Sequence, residues 1–542
     1  MALLASCAVS SPHAQAPAPL AQAARARPEA GPQVRLVLLV AADQFRPDYL
    51  TRFGPLRAGF HTLMSRGAVF TDAHLEHGVT VTAVGHATML TGATPSVSGI
   101  IDNVWYERAS KSSVESITDR DVQIVGADAA AGIGASPRRL LVTTLGDQLK
   151  LVSGAAPGTP GSPKVIGIAL KDHSAILPAG HAADGAYFLR GGRFVTSTYY
   201  RPDLPAWVAD VNARQLPESY AGKRWEFEAG VREYPSETGE RLYGAVMASP
   251  AGNELVLALA RAALQHERLG QRGVTDVLTV SFSSNDAVGH TYGPESPEVR
   301  DMTRQTDRQL QQLLDEVERR VGLAHTLVAF TTDHGVGPVP EVAGAMRLPA
   351  GRFKAQDVTE AIEAALDARF GAETWIERNV HPHVYLNHAL LASRGIDAAE
   401  ARRVAADAAA RVPHVARVYT RDAILAGQVP ADLISSRVTR GYHRDRSGDL
   451  HVVLESLWTT AASGASHGTP YHYDAHIPLM LMGPGIVPGT YHSRVALNDL
   501  APTLAAVLGV EAPTASTGRV LHEALQRMPP PAIPATANTS AQ

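Results

Sequence analysis

Four apolar runs of strand length each lead into ionisable residues, and this coincidence constrains the chain more than any other feature. Val34–Ala42 (VRLVLLVAA) runs into Asp43, Val165–Leu170 (VIGIAL) into Lys171 to His173, Val277–Phe282 (VLTVSF) towards Asp286, and Leu327–Thr332 (LVAFTT) into Asp333 and His334. Longer amphipathic segments lie among them at Glu254–Glu267, Pro297–Arg320, Ala355–Phe370, Ala398–Arg411 and Leu497–Leu508, and a fifth core strand is expected at Leu479–Met482. This alternation predicts an α/β fold, a mostly parallel central sheet flanked by helices. In an open sheet of that kind ligands bind beyond the carboxyl ends of the strands. One polar strand end is ordinarily a loop or a cap; four at one rim predict a reaction site.

The chain has 542 residues, enough for a large catalytic core carrying insertions. With 45% hydrophobic and 19% charged residues, neither wholesale disorder nor a fibrous repeat is expected. Lys plus Arg number 49 against 53 Asp plus Glu, so no basic field exists to coat nucleic acid. The single cysteine, Cys7, excludes an intramolecular disulfide and a thiolate zinc site, so any metal must be held by His, Asp and Glu.

Residues 1–33 hold 11 Ala and 5 Pro without periodicity and read as a disordered leader or tether. Leu4-Ala5-Ser6-Cys7 resembles a lipobox and Ala14-Gln15-Ala16 an A-x-A cleavage site. Export to the periplasm is therefore expected, with Cys7 as a lipid anchor, and an Ala-rich extension is the plainer alternative. No later stretch has the 18 or more apolar residues of a transmembrane helix. A catalytic domain is expected over 34–525, with cap insertions over the rim at about 183–273 and 348–449 and a disordered tail at 526–542. The expected state is a monomer.

Asp286-Ala-Val-Gly-His290 sets a carboxylate and an imidazole four residues apart at a strand end, a spacing that one helical turn aims at a single cation. Asp333-His334 is a second strand-terminal pair. The third piece is Ser466-His467-Gly468, in a Gly- and Ser-rich loop that can carry His467 inward. With Asp43 this makes three carboxylates and three imidazoles, enough for two three-ligand sites that each keep an open position. Three carboxylates nearly neutralise two dications and leave a centre that attracts an anion; such a pair stabilises both the attacking and the leaving oxygen of an in-line displacement.

A helix is expected to start near Thr82. A hydroxyl there can cap the helix, or it can act as a nucleophile beside backbone N–H groups that favour an anion.

Asp43, Thr82-Ala-Val-Gly-His86 with Leu90-Thr91-Gly92, Asp286-x-x-x-His290, Thr332-Asp333-His334-Gly335 and Ser466-His467-Gly468 occur in an order that resembles the alkaline phosphatase superfamily. More narrowly, the chain resembles the phosphate-irrepressible, threonine-nucleophile alkaline phosphatases, relatives of the nucleotide pyrophosphatase/phosphodiesterases. Asn103, 21 residues after Thr82, and Lys171 lie in segments similar to the phosphoryl-gripping segments of that branch. The resemblance implies an alkaline-phosphatase-like core and two Zn2+ ions per chain, one on Asp286, His290 and His467 and the other on Asp43, Asp333 and His334; the donor set also admits Mn2+ or Co2+. It implies that Thr82 attacks small phosphate monoesters to give a phosphothreonine. Asn103 would donate to a non-bridging oxygen, and Lys171 would balance the charge of the monoester dianion.

One position departs from that branch. Two residues after the Lys an Arg is expected, whose fork grips two phosphoryl oxygens; His173 stands there. A neutral imidazole offers one donor and no charge, so His173 predicts a weaker preference for monoesters over diesters. His173 filling space, or another Arg reaching in, are the alternatives. A phosphodiesterase or nucleotide pyrophosphatase on the same metals is the rival activity, and a non-catalytic phosphate- or glycan-binding protein the rival class. A sulfatase is excluded, because Thr82-Ala-Val-Gly-His86 lacks the C/S-x-P-x-R setting. His86, one turn beyond Thr82, is expected to pack or hydrogen-bond beneath the nucleophile, and His472 and His476 to support the site from behind or to lie on the surface.

Overall fold

Leu36–Ala42 is buried along its whole length. Its alternation sends Leu36, Leu38, Val40 and Ala42 into one apolar cluster and Val37, Leu39 and Ala41 into another. A strand covered on both faces needs an unbroken apolar run, and such runs mark the centre of a parallel sheet. The computed structural model describes residues 34–126 and 132–526. The expectations for the leader at 1–33, for Cys7 and for the tail from 527 onward lie outside those residues.

Five strands run parallel in the middle of an 11-stranded sheet: Thr326–Thr331, Leu36–Ala42, Asp276–Phe282, Val165–Ala169 and Gly185–Arg190, in that spatial order. His476–Met482 adds antiparallel to Thr326–Thr331, and Ala68–His74 antiparallel to it. The expected strands are thus present, each within about two residues of its predicted start except the last, which begins at His476. Helices Pro250–His266 and Pro297–Arg320 cover one face and contribute to its large apolar cluster. Parallel strands bring their carboxyl ends to one rim, so Asp43, Lys171, Asp286 and Asp333 all start there.

The two expected insertions differ. Segment 183–273 was expected over the rim, but it supplies Gly185–Arg190 and Arg193–Ser197 to the main sheet and the long Pro250–His266 helix to its face. Only the Arg224–Phe227 and Gly230–Glu233 hairpin forms a separate small sheet. Apolar runs in this segment such as Gly185–Arg190 are short and interrupted by turns, so in sequence they resemble an insertion. Segment 348–449, continued by Leu450–Leu454, builds a four-stranded sheet, Ile376–Val380, His383–Leu386, Leu450–Leu454 and Val415–Thr420, with a core of its own. This cap docks on the core through Arg437, which donates to Leu75 O and Pro470 O at 3.1 and 2.7 Å, and through Arg108, whose Nη2 lies 2.7 Å from Asp449 Oδ2. Among the described residues no helix is long and apolar enough to cross a membrane.

Candidate active site

The helix Thr82–Thr91 is buried over its full length and ends on Gly92 at φ 66°, the left-handed stop that glycine adopts without strain. Its N-cap is Val81, which makes no side-chain cap, so the Thr82 hydroxyl is spared from capping. Thr82 Oγ1 stands 3.4 Å from His334 Nε2 and 3.5 Å from Lys171 Nζ. Beneath it, His86 Nδ1 bonds to Thr82 O at 2.9 Å and Nε2 to Ser281 Oγ at 2.9 Å, the supporting role expected of this histidine.

Around this hydroxyl the structure gathers all six expected ligands. His290 Nε2 lies 3.1 Å from Asp286 Oδ1 and 3.2 Å from His467 Nε2. On the other side His334 Nε2 is 3.6 Å from Asp43 Oδ1 and 3.4 Å from Asp333 Oδ2. The His334 and His467 rings stack at 3.6 Å and join the two groups. Asp286 sits at the junction: its ligand atoms fall within 4.8 Å both of His290 and His467 and of Asp43 and His334.

The histidine tautomers are fixed by backbone carbonyls, which can only accept. His290 Nδ1 donates to Ala465 O at 2.7 Å, His334 Nδ1 to Gly335 O at 3.0 Å, and His467 Nδ1 to Thr80 O at 2.8 Å. In the neutral ring each Nε2 is therefore the nitrogen that presents a lone pair. At 3.2 Å His290 Nε2 and His467 Nε2 face each other, and beside them Asp286 raises the His290 pKa against the pull of burial. Asp43 Oδ1 is buried without a hydrogen-bond partner, and Asp333 Oδ2 is buried with only the His86 and His334 rings beside it, at 3.3 and 3.4 Å. Converging imidazole nitrogens and buried carboxylate oxygens, with no thiolate, fit divalent cations of the borderline to hard kind.

Electrostatics follow from burial and crowding. Burial, then the neighbouring Asp333, pushes the Asp43 carboxyl well above its usual range. Burial works in the same direction on Asp286, but Lys171 and His290 outweigh it and hold that carboxyl well below its usual range. On Asp333 burial is likewise outweighed, by His334 and His86, and its pKa is lowered. Lys171 Nζ bonds to Asp43 Oδ2 at 2.7 Å and to Asp286 Oδ2 at 2.6 Å, and these two carboxylates raise its pKa against the pull of burial.

The remaining two expected residues stand further back. Asn103 Oδ1 accepts from Ala83 N at 2.8 Å, which ties the Asn103 segment to the first turn of the Thr82 helix. His173 Nδ1 is 3.4 Å from Asp172 Oδ1, its Nε2 is buried without a partner, and no hydrogen bond joins it to Thr82 or Lys171. Burial pushes the His173 imidazole down to about 4, so it is neutral at alkaline pH. Arg190 reaches Asp172 Oδ2 at 2.7 Å. Trp105 is 1% exposed and belongs to an apolar cluster with Ala83, Val84 and Ile100.

Three contributors were not legible in the sequence. Gln44 bonds to Asp333 through its backbone and to Asp286 through its side chain. Asp474 accepts from Thr469 N and Oγ1 at 2.9 and 2.6 Å, and its own carbonyl accepts from Gly335 N at 2.7 Å, so it ties the His467 loop to the His334 turn. Thr80 Oγ1 donates to Thr469 O at 2.9 Å while its carbonyl orients His467. Adjacency to Asp43 was the only signal available for Gln44.

Residues 37–476 match the family model for type I phosphodiesterase / nucleotide pyrophosphatase. The alkaline phosphatase PafA of Elizabethkingia meningoseptica is 32% identical over 92% of this chain and 95% of its own length. The alkaline phosphatase PhoV of Synechococcus elongatus is 31% identical, covering 93% and 96% respectively. A crystal structure of wild-type PafA superposes with a TM-score of 0.85 at 32% identity, over 92% of this chain and 100% of the other.

Proposed function

This chain belongs to the type I phosphodiesterase / nucleotide pyrophosphatase family, and from that premise we propose the reaction it performs: metal-dependent hydrolysis of phosphate monoesters to an alcohol and inorganic phosphate. Thr82 is the nucleophile. The observation that carries this reading is its uncapped, buried hydroxyl, set at a helix start between His334 Nε2 and Lys171 Nζ. Thr82 Oγ1 bonds to phosphorus as the ester P–O bond opposite it breaks, and water hydrolyses the resulting phosphothreonine. Phosphoryl transfer asks mainly for positioning and charge stabilisation.

Two divalent cations, Zn2+ by preference, would be held by Asp286, His290 and His467 and by Asp43, Asp333 and His334, and would supply positive charge to the phosphoryl oxygens and acidify the attacking hydroxyl. The chain's own residues do the rest. Lys171 brings a full charge within reach of Thr82, and Asn103 braces the first turn of its helix. Export of the enzyme belongs to the same proposal and rests on the leader motifs. Thr82→Ala tests the assignment: turnover of an aryl phosphate is expected to vanish while inorganic phosphate still binds, and a variant that keeps turning over refutes Thr82 as nucleophile.

A second reading, a diester or pyrophosphate substrate, draws support from His173, which is neutral where a guanidinium fork would grip a monoester dianion. The ratio of kcat/KM for matched aryl monoester and diester substrates decides between them. His173→Arg is expected to raise that ratio by about tenfold, the scale of one charge-assisted hydrogen bond; an unchanged ratio refutes a role for this position in selectivity.

A further inference from the structure

We propose that Gln44 is a positioning residue that locks the two halves of the metal centre to each other, an inference that rests on the two-cation reading above. Gln44 follows Asp43 at the end of the central strand, and it spans both neighbouring strands. Its backbone N–H donates to Asp333 Oδ1 at 3.1 Å, beyond Thr326–Thr331 on one side. Its side-chain Nε2 donates to Asp286 Oδ1 at 2.6 Å, beyond Asp276–Phe282 on the other. One residue thus orients a carboxylate of each three-ligand group, and Asp286 lies close to both groups.

The backbone shows that this arrangement is retained against a cost. Gln44 is 2% exposed and adopts φ 60°, in the left-handed region that glycine occupies freely and that a side chain enters only under strain. If only the turn mattered, glycine would serve better. Gln44 Oε1 is also buried without a hydrogen-bond partner, a further cost borne by keeping the amide there. Room for it comes from Gly289, where a Cβ would lie 1.8 Å from Gln44 Oε1. That explains the glycine inside Asp286-Ala-Val-Gly-His290: the helix carrying Asp286 and His290 closes over the Gln44 amide.

The chemistry suits a donor without charge. A neutral N–H on Oδ1 stabilises ionised Asp286 and holds the carboxylate so that Oδ2 faces Asp43 and Lys171. Residues that orient metal ligands from behind typically change metal affinity by about 10- to 100-fold when removed.

Two substitutions separate positioning from simple packing. Gln44→Gly removes the amide and relieves the strained φ, whereas Gln44→Met removes the amide and keeps the strain. Chelator competition with Zn2+, thermal melting of the metal-free protein, and kcat/KM on an aryl monoester are the three readouts. Both variants are expected to weaken binding of at least one ion by about tenfold or more, with a parallel fall in kcat/KM. The metal-free Gln44→Gly protein is expected to melt no lower than wild type, and the Gln44→Met protein lower than Gln44→Gly. Wild-type metal affinity in Gln44→Gly overturns the proposal while leaving the two-cation reading intact. A wild-type protein that takes up no divalent ion refutes both.

Discussion

Two clusters of histidine and aspartate lie at the carboxyl rim of the sheet, and only one has the chemistry of a metal centre. In the first, His290, His334 and His467 donate Nδ1–H to carbonyls and turn three Nε2 lone pairs towards Asp43, Asp286 and Asp333. In the second, Asp72, His74 and His476 place ligand atoms within 4.8 Å of one another, and His74 and His476 are cross-strand partners with rings stacked at 5.0 Å. Proximity is similar, but the His74 lone pair is not free. Arg437 Nη2 donates to His74 Nδ1 at 3.3 Å, so the ring's proton sits on Nε2 and goes to Asp72 Oδ1 at 2.6 Å. His476 Nε2 donates to Thr71 O at 3.0 Å. With one nitrogen accepting and the other donating, His74 has nothing left for a cation, and without it Asp72 and His476 fall short of a three-ligand site. Clustering of ligand residues is therefore weak grounds for a site, and the tautomer imposed by the next layer of groups decides.

The sharpest way to break this comparison is to remove one histidine from each cluster. His467→Ala is expected to cost one of two bound ions per chain, seen by elemental analysis after dialysis, and to lower kcat/KM by about 10³-fold, since a catalytic cation is worth several kcal/mol. His476→Ala is expected to leave both quantities within about twofold of wild type; a third bound ion lost in His476→Ala would overturn the distinction.

A smaller effect concerns acid stability. Burial pushes His74 down to about 4, and the cap histidine His383, whose ring nitrogens have no partner, down to about 3. Between those values and the ordinary 6.5 the unfolded chain binds a proton that the folded chain refuses, so stability rises with pH across that window and is flat above it. Each such imidazole contributes a slope of about 1.4 kcal/mol per pH unit. Denaturant unfolding at pH 5 and pH 7.5 is expected to show a shallower acid loss in His383→Gln than in wild type; equal slopes would mean that the ring is protonated in the fold.

The smallest expected change is Asp72→Asn. The Asp72 side chain is 44% exposed, and its carboxyl is lowered chiefly by the bond to His74. Pairs that open to water are worth about 0–1 kcal/mol, so the variant is expected to melt within a few degrees of wild type with its metal content unchanged.

Much of the catalytic rim was readable from residue order, because strand-terminal ionisable groups follow apolar runs whose period and length are local properties. Asp43, Asp286, Asp333, His290 and His334 were placed that way, and His467 by its glycine-rich loop. The Gly185–Arg190 strand was not recognised as part of the main sheet, since short runs between turns look the same in an insertion as in a core. Gln44 and Asp474 were invisible for another reason: a glutamine or aspartate in a loop acquires a role only from the carboxylate or N–H that distant segments bring to it.

Residue order alone established the α/β sheet and the nitrogen-and-oxygen character of any metal site, and it nominated six candidate ligands, because these depend on periodicity and side-chain type. Tertiary structure decided which nitrogen of each histidine is free, that Thr82 does not cap its own helix, and that Gln44 adopts φ 60° to join Asp286 to Asp333. Those outcomes depend on carbonyls and carboxylates up to 387 positions away in the chain, and their placement is a property of the closed fold.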